Sequence, residues 1–253
     1  MISRRDLALG GLLSIGWLAM PCGCPAHAAI APQRFGCELA ADEIPRELTA
    51  SEQAAGSGMP KFVESGDRDL DYAMAQTLSL LTDTWNVLPA FAYYDDTGAP
   101  NAKATPARWL SRADGTVIFG RNLLNRLLKL REAPDVAVAA VVAHEFGHIA
   151  QFKNNLKRPL LIGQDSVKRL ELHADFLAGY FAGRRKLDRP DFPAAVFATT
   201  QYAAGDYRPE RVSHHGTPEE RANAIVKGFE VAFRDRRSPG EALQIGVKYA
   251  QTL

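Results

Sequence analysis

From residue 69 onward, apolar positions recur at the spacing of helices that bury one face. Leu70, Ala73, Met74, Thr77, Leu78 and Leu81 trace such a stripe over Asp69 to Leu88. Leu123, Leu124, Leu127, Leu128 and Leu130 do the same over Arg121 to Arg131. Two short runs read as strands: Phe91 to Tyr94, followed by the turn Asp95-Asp96-Thr97-Gly98, and Thr116-Val117-Ile118-Phe119, set off by Asp114-Gly115. Helices are also expected over Ser166 to Gly183, Pro193 to about Ala204, Pro218 to Phe233 and Gly240 to Ala250. Gly183 and the basic run Arg184-Arg185-Lys186 look like a helix stop. The expected fold class is α+β, predominantly α-helical, with a small sheet.

One helix departs from the amphipathic rule. From Pro134, a favourable first-turn residue, to about Phe152, the chain is rich in Ala and Val and apolar on most sides. A helix that is hydrophobic all round is a buried one. Yet it contains His144-Glu145-Phe146-Gly147-His148. Histidines four apart lie one turn apart on the same face, so both imidazoles can reach one ion. Glu145 is displaced around the helix, where it flanks the ion and suits a general base. Burying three polar groups is costly unless something satisfies them, and a cation does so.

A catalytic metal centre needs a third protein ligand and an open fourth position. Glu171, in Leu170-Glu171-Leu172-His173-Ala174-Asp175, is the candidate. Asp175 shares its face and can accept the outer N–H of a liganding histidine. The alternative is an acidic face paired with Lys168 and Arg169. His173 is a rival ligand, but its offset around the helix points it elsewhere. The donor set implies one zinc ion per chain.

The N-terminus reads as a targeting segment. Ser3-Arg4-Arg5 precedes an apolar stretch from Leu7 to Met20 and the small-residue run Ala26-His27-Ala28. That is the order of a twin-arginine export signal over residues 1–28, and the apolar stretch is short for a membrane span. The alternatives are an uncleaved anchor and, with Cys22 or Cys24, a lipoprotein. The expected location is periplasmic or secreted, and membrane association stays open. Residues 29–68 form an N-terminal segment that includes Cys37 and the linker-like Ala54-Ala55-Gly56-Ser57-Gly58-Met59-Pro60, ahead of a metallopeptidase domain over residues 69–253. Lys plus Arg total 30 against 29 Asp plus Glu, a balance that implies no basic face and no nucleic-acid partner.

H-E-x-x-H followed by E-x-x-x-D resembles the gluzincin metallopeptidases. The flanks resemble the peptidase family of the CAAX prenyl proteases and their bacterial periplasmic relatives. Asn101-Ala102, Gly115 to Phe119, Leu123-Leu124 and Ala139 to Ala143 follow that family's order, and Gly216-Thr217-Pro218-Glu219-Glu220-Arg221 is similar to its H-P-x-x-x-x-R ending. Here two residues separate His215 from Pro218, and the family's membrane helices are missing. The resemblance implies a zincin-like core, a protein or peptide substrate, and Thr116, Val117, Ile118 and Phe119 as the edge strand that pairs with it. His214 and His215 could polarise the oxyanion, or sit in a surface loop before a helix capped by Thr217 and Glu220. Tyr202 and Tyr207 are further oxyanion candidates, and Arg221 reads as a structural ion-pair residue. The implied activity is zinc-dependent endoproteolysis of exported proteins. Rival readings are a zinc-dependent chaperone of the cell envelope and an inactive metal-binding scaffold.

Overall fold

The computed structural model describes residues 64–253. The expected export signal, the linker of residues 54–60 and Cys37 lie outside the described residues, as does nearly all of the 29–68 segment. Eleven elements follow in order: α1 (Arg68–Trp85), β1 (Ala90–Tyr94), β2 (Ala102–Thr105), β3 (Thr116–Gly120), α2 (Arg121–Leu127), α3 (Pro134–Lys153), α4 (Lys157–Leu161), α5 (Lys168–Asp188), α6 (Ala195–Ala203), α7 (Pro218–Phe233) and α8 (Pro239–Gln251). The described chain is thus predominantly helical with a small sheet. Among the described residues, no helix is long and apolar enough to cross a membrane.

Local chemistry accounts for several boundaries. Asp67 caps α1 by accepting from the amides of Asp69 and Leu70, and the helix stops at Asn86, which takes a left-handed conformation. Thr217 with Glu220, and Ser238 with Glu241, form capping boxes at the starts of α7 and α8, each with proline in the first turn. Pro134 opens α3, which is buried along most of its length.

The sheet corrects one expectation. Its strand order is β1-β3-β2, with β1 parallel and β2 antiparallel to β3. Val117 pairs with Phe91 on one side and Ala104 on the other. Thr116, Val117, Ile118 and Phe119 therefore form the buried central strand, not an edge open to an extended peptide. The displacing strand is β2, whose Ala-Lys-Ala-Thr sequence carries little β-propensity and gives no strand signal.

Gly183 is also reassigned. It lies inside α5, which runs on through the basic residues to Asp188. A Cβ at Gly183 would stand 2.7 Å from Ala232 Cβ and 2.8 Å from Phe229 O on α7. Gly179 on α5 and Gly228 on α7 leave no room for a Cβ either, each facing the other helix's backbone at Ile225 and Phe176. These glycines let α5 and α7 meet main chain to main chain. One apolar core joins the sheet to α1, α3, α5 and α7, through Phe119, Tyr93, Trp85, Phe146, Phe176, Tyr180 and Ile225.

Candidate metal centre

Two buried helices bring the polar residues together. α3 supplies His144, Glu145 and His148, and α5 supplies Glu171 in its first turn and Asp175 one turn later. The helices approach closely where Gly147 faces Ala174, since a Cβ on Gly147 would lie 3.0 Å from Ala174 Cα. That contact sets the two polar turns against each other. His144, Glu145, His148 and Glu171 are between 1% and 6% exposed, and Asp175 is fully buried.

The donor atoms converge. His144 Nε2 and His148 Nε2 are 3.2 Å apart. Glu171 Oε2 lies 3.3 Å from His144 Nε2, and its Oε1 lies 3.6 Å from His148 Nε2. Donors about 2.0–2.1 Å from one ion in tetrahedral array stand about 3.3 Å from each other, so these spacings suit a single small cation.

Hydrogen bonding on the far side of each ring fixes which nitrogen faces the ion. His144 Nδ1 lies 2.8 Å from Asp175 Oδ1. An ionised carboxylate only accepts, so Nδ1 is the protonated nitrogen and Nε2 presents a lone pair. For His148 the partner is Gln151 Oε1, at 3.0 Å from Nδ1. The amide orientation is set by Leu170 O, a pure acceptor 2.7 Å from Gln151 Nε2. Gln151 thus turns its oxygen to His148, which donates from Nδ1 and also presents a lone pair at Nε2. Two lone pairs and a carboxylate converging in a buried space repel one another unless a positive charge lies between them. The group His144, His148 and Glu171 can therefore hold a metal ion.

Charge is organised around that point. Burial alone would raise the Asp175 carboxyl, but the Arg221 guanidinium and His144 outweigh it and hold it below the usual carboxylate range. Glu171 is likewise held well below its ordinary value, with His215 and His148 overcoming the cost of burial. For His144 burial favours the neutral ring, yet Asp175 and Glu171 win and push the imidazole up to about 9. Without a metal, a proton on His144 takes the cation's place. Glu145 behaves oppositely: burial raises its carboxyl, and its buried Oε2 has no hydrogen-bond partner.

The remaining candidates divide. His215 Nδ1 is 2.9 Å from Glu171 Oε2, beside the candidate metal group. His214 instead pairs with Asp206, its Nδ1 2.9 Å from Oδ1. Both do precede the Thr217-capped helix, but both are buried rather than on the surface, because Asp206 also accepts from the His215 amide and draws the loop inward. The Tyr202 and Tyr207 hydroxyls donate to Glu219 Oε1, at 3.2 and 2.8 Å, on the exposed surface. His173 is not a ligand: its Nε2 lies 3.2 Å from Leu243 O and its Nδ1 3.1 Å from Gln151 Nε2. Arg221 is the expected ion-pair residue, bound to both oxygens of Asp175 and to Gln201 Oε1 at 2.8 Å.

Sequence reasoning missed Gln151, Gln201 and Asp206. For Gln151 a signal existed, since it is a polar residue one turn beyond His148 on a helix with little other polarity. The chain matches no protein-family model, no curated protein and no solved structure.

Proposed function

We propose that this chain is a zinc-dependent endopeptidase, of the gluzincin type that its motifs resemble, acting on exported proteins. The observation that carries the reading is the convergence of two imidazole lone pairs and the Glu171 carboxylate beside a buried glutamate with an unused oxygen. Three protein donors among the described residues, rather than the four of a structural zinc site, leave a coordination position for chemistry. When bound, zinc supplies Lewis acidity toward a carbonyl oxygen and acidifies water.

The chain's own residues do the rest. His144, His148 and Glu171 hold the ion. Glu145, held ionised by the cationic centre yet made more basic by its burial, takes a proton from the attacking water and delivers it to the leaving amine. His215, beside Glu171, donates to the oxyanion that develops on the substrate carbonyl. Asp175 and Arg221 keep His144 oriented. Twin-arginine export belongs to the same reading, because it carries a chain already folded around its metal.

The experiment pairs metal analysis with proteolysis of casein and a peptide library by residues 29–253. The wild type is expected to hold one zinc per chain and to cleave. Glu145→Gln is expected to keep the zinc and lose turnover. A zinc-loaded wild type that cleaves nothing would refute the peptidase. The near-complete burial of the donors favours a second reading, a metal-stabilised binding or chaperone protein, which would keep its function in Glu145→Gln.

A further inference from the structure

Gln151 and His173 do more than fill the space behind the donors. Their hydrogen bonds run in one direction, and both ends are fixed by backbone carbonyls. Leu243 O, on α8, only accepts, so His173 donates to it from Nε2 across 3.2 Å. The His173 ring is fully buried, and the Gln151 Nε2 group facing its Nδ1 can only donate, because Leu170 O fixes the orientation of that amide. Its Nδ1 is therefore an acceptor, filled by Gln151 Nε2 at 3.1 Å. The second proton of that amide goes to Leu170 O. Gln151 Oε1 is left to accept from His148 Nδ1.

We propose that Gln151 and His173 form a positioning relay that locks His148 in the tautomer needed to bind the metal and makes the C-terminal helix α8 part of the metal centre. The inference rests on His148 being a metal ligand. The two histidine ligands are then held differently. His144 leans on a carboxylate backed by Arg221, a charged and strong hold. His148 leans on a neutral amide whose orientation depends on where α8 sits. A displacement of α8 removes the Leu243 acceptor, frees the His173 tautomer, and lets the Gln151 amide turn its NH2 toward His148. The neutral imidazole would then carry its single proton on Nε2 and cease to be a ligand.

The packing of α8 provides a handle remote from the metal. Gly246 faces His173: a Cβ there would lie 3.0 Å from its Cδ2, 3.1 Å from its Nε2 and 2.8 Å from Phe176 Cδ1. Gly246→Ala touches no ligand and suits a helix, yet it presses on the relay's far end.

The test uses the full chain with 15N-labelled histidine. In the metal-free wild type, two-bond proton–nitrogen spectra should show His148 protonated at Nδ1 and His173 at Nε2. Gln151→Leu should move His148 toward the Nε2–H tautomer and weaken zinc binding by roughly 10–100-fold, the usual effect of losing such a supporting partner. Gly246→Ala should shift the His173 signals and weaken zinc binding by roughly 3–10-fold, a fraction of that loss. If both variants only lower the melting temperature, with the His148 tautomer and the zinc affinity unchanged, the relay is refuted. A wild-type His148 protonated at Nε2 also refutes it. A wild type that takes up no zinc instead overturns the metal-centre reading, and the tautomer spectra still decide whether the relay exists.

Discussion

Arg221 on α7 grips both oxygens of Asp175 on α5, at 2.7 Å from Nε and 3.0 Å from Nη2, with both side chains buried. The pair joins the C-terminal half of the chain to the histidine that Asp175 orients. Removing one partner strands the other as a buried charge. Arg221→Leu is expected to destabilise the metal-free protein by roughly 3–5 kcal/mol. Arg221→Lys should recover only part of that, because an ammonium does not reproduce the two-pronged contact. Urea denaturation measures both, and a loss under about 1 kcal/mol would mean the pair is solvated.

Metal binding should be strongly pH-dependent. In the metal-free protein the His144 proton is stabilised by two carboxylates, which raises its pKa to about 9. A raised histidine pKa contributes stability that is complete below the ordinary value of about 6.5 and is lost as pH climbs through about 9. Zinc must displace that proton. Apparent affinity should therefore rise as pH increases, by up to about tenfold per unit, from about pH 6.5 to about 9. Calorimetry at neutral pH in buffers of different ionisation enthalpy should count about one proton released per zinc. A pH-independent affinity would contradict the arrangement.

Two glycine substitutions should move stability in opposite directions. Gly147→Ala places a methyl against Ala174, with backbone Cα at 3.0 Å and O at 3.1 Å, neither of which can swing aside. The helix propensity gain of about 0.8–1.0 kcal/mol is outweighed by overpacking of about 1–3 kcal/mol. The zinc affinity should fall with it, as α3 and α5 separate. Gly240→Ala, with nothing near its Cβ, should stabilise by about 0.5–1 kcal/mol and leave zinc binding alone. Thermal melts with and without zinc distinguish the two.

The loop that carries His215 is tied by Asp206, whose amide donates to Gly216 O and whose carboxylate holds His214. Asp206→Ala should loosen His215 without touching a ligand. On the peptidase reading, kcat/KM should fall by roughly tenfold, on the scale of a weakened oxyanion contact, while zinc content stays at one per chain. Peptide hydrolysis with parallel metal analysis checks this. Unchanged hydrolysis would remove His215 from the chemistry.

The candidate metal group and the carboxylate behind it were legible because their cost was legible. His144, His148, Glu171 and Asp175 are polar residues in segments too apolar to expose them, and only convergence resolves that. Helix starts were legible where proline and threonine announced them, as at Pro134 and Thr217, whereas the Ser238 cap of α8 went unread. Strand order was not. β3 is mostly apolar and buried throughout, as a central strand should be, but its partner β2 is a short alanine-rich segment whose pairing depends on tertiary contact. Gly183 misled because a glycine before a basic run signals a helix end equally well when it is a close helix contact. Gln151 escaped notice because an uncharged amide advertises less than an ionisable group.

The glycine seam between α5 and α7 bears on how the ion comes and goes. Glu171 and Asp175 are mounted on a helix whose place is dictated by main-chain contact at Gly179, Gly183 and Gly228, not by the ion. Small zinc domains dissolve when chelated because the metal is their core. Here main-chain contact between α5 and α7 supplies the frame. A chelator should strip the ion and leave the chain folded, and returning zinc should restore the loaded form at once, with no refolding phase.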